Sequence, residues 1–77
     1  MVQKMHMEPL TATELVQLEA RMSQEEMLCE TYINAASHTV TTELKEVCRQ
    51  MAARHQKNYQ FLCQMLNQHQ HPPQGVQ

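Results

Sequence analysis

Two apolar stripes, each interrupted once by a polar residue, flank a short break, and this arrangement constrains the fold more than any other feature of the chain. Stepping alternately by three and four, the first stripe reads Leu15, Leu18, Met22, Glu25, Cys29, Tyr32 and Ala36. The second reads Leu44, Cys48, Met51, His55, Tyr59, Leu62 and Leu66. Such spacing holds a stripe on one helix face and is the seam of a left-handed helical bundle. Between the stripes, Ser37-His38-Thr39-Val40-Thr41 concentrates β-branched and hydroxyl side chains that compete with helix. A connection this short returns the second helix antiparallel to the first. The sequence therefore predicts an all-α, antiparallel two-helix hairpin.

Local signals place the helix ends. Thr11-Ala-Thr-Glu14 has the form of a capping box, in which a Thr hydroxyl and a Glu carboxylate satisfy early amides reciprocally. The first helix is expected over about 12–37, and Glu, Leu, Met, Ala and Gln favour it throughout. Thr41 can cap a second helix over about 42–69, with Glu43 and Glu46 in its first turns. Pro72 and Pro73 forbid its continuation. Residues 1–10 read as a flexible segment and 70–77 as a disordered Gln, His and Pro tail. Met5, His6 and Met7, like His69 and His71, are weak metal donors that read better as solvated ends.

In a tight antiparallel hairpin turning near residue 40, facing residues have numbers that add to about 80. Ala36 then faces Leu44, Tyr32 faces Cys48, and Cys29 faces Met51. Met22 faces Tyr59, Leu18 faces Leu62, and Leu15 faces Leu66. Glu25 faces His55, so both polar interruptions fall in one layer. Either alone would be costly to bury, whereas together they can share a charge-assisted hydrogen bond. Leu28, Ile33, Val47, Ala52 and Cys63 widen the apolar face, with Val16 and Met27 further round.

A polar layer of this kind has two readings. One is structural, a hydrogen-bonded layer that sets register and pairing. The other is a metal site with Glu25 and His55 as candidate ligands. The ligand set is poor for a di-iron bundle, which wants a Glu-x-x-His on two of its helices. Here Ala52 stands three residues before His55, and Glu19 and Glu26 lie beside the seam. The structural reading is preferred, and no metal or other cofactor is expected. Nor is any catalytic residue: the single Gly, Gly75, excludes a Gly-rich phosphate loop, and Cys48 and Cys63 are not helical neighbours of His55.

Size and charge narrow the function classes. With 77 residues the chain is one domain at most. Below roughly 70–80 residues a single core rarely supplies more than about 3–5 kcal/mol, so self-association is expected. Six Lys and Arg against eight Asp and Glu leave no basic stripe for nucleic acid. No apolar run is long enough to span a membrane, and the N-terminus lacks the apolar core of a secretory signal. An intracellular protein is expected. Cys29, Cys48 and Cys63 match neither a disulfide framework nor zinc spacing, and read first as small buried hydrophobes. Two hairpins packed about a twofold axis would complete a four-helix bundle.

Several segments resemble a known family. Leu10-Thr-Ala-Thr-Glu-Leu-Val-Gln-Leu-Glu19 resembles the opening of helix 1 in small spore coat proteins of the coat protein F type. Thr42-Glu-Leu-Lys-Glu-Val and Met51-Ala-Ala-Arg-His-Gln-Lys-Asn-Tyr59 are similar to its second helix, where a His is followed by an aromatic four residues on. The resemblance spans about residues 10–67. It implies a ferritin-like hairpin, a structural role in a spore coat assembled from the mother-cell cytoplasm, and other coat proteins as partners. Of its recurring residues only His55 carries over, without an assigned role.

The expectation is thus a non-enzymatic, homodimeric structural protein, associating through apolar faces, with cysteine cross-links as a further means of securing it. A metal-binding or redox bundle built on Glu25 and His55 is the alternative. A third option is a helical adaptor for a larger protein.

Overall fold

The computed structural model describes residues 9–70. Of the ends expected at 1–10 and 70–77, residues 1–8 and 71–77, with the donors Met5, His6, Met7 and His71, lie outside the described residues, and Gln70 is helical. Two helices, α1 over Ala12–His38 and α2 over Thr42–Gln70, pack against each other along their length as a helical hairpin. No strand occurs among the described residues.

Side chains set the start of α1. The Glu14 amide donates to Thr11 Oγ1 (3.1 Å), and the Thr11 amide donates to Glu14 Oε1 (3.0 Å). This is the capping box anticipated from Thr11-Ala-Thr-Glu14. The far end of α1 stops without a glycine. Ser37 Oγ donates to Asn34 O, His38 Nδ1 donates to the same carbonyl, and Thr39 Oγ1 donates to Ala35 O, each at 2.8 Å. These donors add side-chain bonds to carbonyls near the helix end, and Ala35 O is one of the last four that lack an interior amide. Thr39 is already extended (φ −91°, ψ 135°), and Val40 protrudes at 95% exposure. The Lys45 amide donates to Thr41 O (2.9 Å), which opens α2 with Thr41 as its N-terminal flanking residue.

The hairpin encloses little. Among the described residues only Glu25, Ala36 and Ala52 are buried. Leu15, Leu18, Met22, Cys29 and Tyr32 of the first stripe are half-buried, as are Cys48, Met51, His55, Tyr59, Leu62 and Leu66 of the second. Leu44 departs from its expected place in the core: it is 56% exposed. It lies in the first turn of α2, and Ala36, expected opposite, is too short to cover it. On α2 the deep position belongs instead to Ala52, two turns further along and expected only on the flank. Ile33, Val47, Val16 and Met27 are exposed, as is Phe61. No helix among the described residues is long and apolar enough to cross a membrane.

Candidate functional site

The two polar interruptions meet. Glu25, midway along α1, is 2% exposed. Its Oε1 accepts a 2.6 Å hydrogen bond from His55 Nδ1 on α2 and a 3.3 Å bond from Asn58 Nδ2 one turn on. Its Oε2 accepts from Arg21 Nε at 2.8 Å, one turn back on α1. An ionised carboxylate only accepts, so His55 carries its hydrogen on Nδ1. The His55 ring stacks on Tyr32 with centroids 5.7 Å apart and planes 10° from parallel. One helix thus supplies the acid, Arg21 and the stacking ring, and the other supplies His55 and Asn58.

These donors fix the protonation state of Glu25. The hydrogen bond from His55 is the largest influence, and burial opposes it. The bonds from Arg21 and Asn58 and the Arg21 charge add to the first, holding the carboxyl down to about 2 from an ordinary 4.5. A carboxylate held that low is a poor general base, because a useful base titrates near the working pH. Both its oxygens are engaged by N–H donors, one of them on a guanidinium that cannot ligate a metal. No group of three or more His, Cys, Asp or Glu that could hold a metal ion occurs among the described residues. Glu19 and Glu26 lie on an outer groove with Met22 and Tyr59, rather than joining Glu25. The arrangement is chemically suited to holding a charge still and to aligning two helices.

Arg21 and Asn58 are the members that the seam reading did not include. Their signal is present in the sequence: Arg21 stands four residues before Glu25, and Asn58 three after His55, the spacings at which helical neighbours meet. Cys29, Cys48 and Cys63 are free and half-buried. Cys63 follows Tyr59 by one turn and raises the pKa of its hydroxyl, with Glu26 and partial burial contributing.

Comparison with known proteins adds no assignment: the chain matches no family model, no curated protein and no solved structure.

Proposed function

We propose that this chain is a non-enzymatic assembly protein, a hairpin that joins a second copy to form a ferritin-like four-helix bundle. On this reading the Glu25 layer is a structural device that sets which residues of α1 face which residues of α2. The resemblance to coat protein F segments suggests the setting, a spore coat in which such bundles pack with other coat proteins. The observation that carries the proposal is the unfinished core. The hairpin buries two alanines and one glutamate, while Met22, Cys29 and Tyr59 stay half-buried and Ile33 and Leu44 exposed. Large apolar side chains left this open on a small helical unit favour covering by another apolar surface.

Sedimentation equilibrium of the full chain tests the proposal, with metal content measured on the same sample. The expected result is a dimer without stoichiometric metal. A monomer over the whole accessible concentration range would refute the bundle. Stoichiometric metal that Glu25→Ala abolishes would turn the reading to redox chemistry.

A further inference from the structure

The hairpin has two long sides, and they differ in charge. Arg21 and Asn58 reach Glu25 from one side of the seam. On the helical wheel Glu26 and Gln56 lie on the other side, each one 100° step beyond Glu25 and His55. That other side is a continuous groove with three depressions. The one nearest the connection has a volume of about 480 Å³ and is lined by Ile33, Ala36 and Ala52 together with Lys45 and Arg49. The next, about 290 Å³, runs between Cys29, Ile33 and Tyr59 and carries Glu26 and Glu30. The third, about 380 Å³, lies toward the open end with Met22, Tyr59, Glu19 and Glu26. Bases line the connection end and no acid does; acids line the other two depressions and no base does.

We propose that the occupant of this groove is a second copy of the chain, laid antiparallel so that the connection of one hairpin covers the open end of the other. The proposal rests on the dimer reading above and adds its face and direction. A twofold axis makes an interface self-complementary, so each contact occurs twice. Antiparallel docking sets Lys45 and Arg49 of each copy toward the Glu19 end of the other, while the middle depressions, with Glu26 and Glu30, meet near the axis. Parallel docking would set base on base and acid on acid at both outer depressions as well, and like charges across an interface cost several kcal/mol. The floor of the groove, with Met22, Cys29, Ile33 and Tyr59, supplies the apolar area, while the charges choose the direction. The opposite side, where Val47 and Phe61 lie, has a depression lined by Arg54 and Lys57 without an acid.

Charge reversal in the full chain tests the direction, with dimerisation read by sedimentation at low salt and helix content by circular dichroism. In Lys45→Glu with Arg49→Glu, acids would face acids, and the dimer should weaken by roughly tenfold or more, less so at high salt. Adding Glu19→Lys and Glu26→Lys to that variant restores opposite signs and should recover the wild-type dimer. Phe61→Glu, on the other side, should leave the dimer intact. A dimer indifferent to the first reversal, or lost in Phe61→Glu, would overturn the assigned face while leaving the dimer reading standing. A wild-type monomer would overturn both.

Discussion

The middle of the hairpin and the stretch leading to its connection solve the same problem differently. In the middle, Glu25 is buried with three hydrogen-bond donors and a ring stacked behind the nearest. Between the middle and the connection, Ala36 and Ala52 are buried, and Leu44 is left outside. Polar partners in fixed directions admit one alignment of the helices, whereas small side chains let two backbones come close without specifying which residues meet. The hairpin therefore draws specificity from its polar layer and close packing from its alanines.

Breaking the centre should cost most. In Glu25→Ala, His55 and Asn58 lose their acceptor, and thermal unfolding should show a larger loss than any other single substitution named here. A variant as stable as wild type would mean that the layer contributes nothing to the fold. Acid tests the same layer without mutation. Because the Glu25 pKa is lowered on folding, the unfolded chain takes up its proton first as pH falls. The layer's contribution is whole above about 4.5 and is lost as pH falls toward about 2. Denaturant titrations across that range should show declining stability in wild type and a flatter profile in Glu25→Ala. Equal slopes would remove Glu25 from the acid response.

The alanine contacts should fail by crowding instead. Ala52→Leu adds methylenes at a buried site and is expected to cost about 1–3 kcal/mol. No loss on denaturant unfolding would show that the helices have room to spare there. Least costly is the cap, distant from both regions: Thr11→Ala should lose about 1 kcal/mol, lowering the melting temperature by about 4–8 °C. A melting temperature equal to wild type would mean that the reciprocal bonds with Glu14 do not persist in solution.

Much of this was legible in the sequence where the signal was local or where two anomalies coincided. The capping box needs only Thr11 and Glu14, three residues apart. The stop at Ser37-His38-Thr39 follows from side chains that reach back to carbonyls of their own helix. Glu25 and His55 could be paired because each is the one polar break in an apolar stripe. Leu44 and Ala52 could not be placed that way. A sum of residue numbers aligns levels along the hairpin, but it does not say how far a helix is rotated or what covers its end. Arg21 and Asn58 were readable as helical neighbours of the pair, although a stripe of apolar positions leaves them out by construction.

The buried carboxylate has a consequence for how the chain finds its fold. A hairpin is a local structure and can close quickly, and one that closes a turn out of step still buries apolar surface. Such a mispaired hairpin would enclose Glu25 without His55 and Asn58, and an unpartnered charge in the interior makes it short-lived. The layer then acts as a proofreader, penalising wrong closures more than it strengthens the right one. Replacing both Glu25 and His55 by Leu should remove the penalty, giving a hairpin that stays helical but slides between alignments, seen as doubled amide resonances. A single set of resonances would show that the apolar stripes alone can tell one alignment from the next.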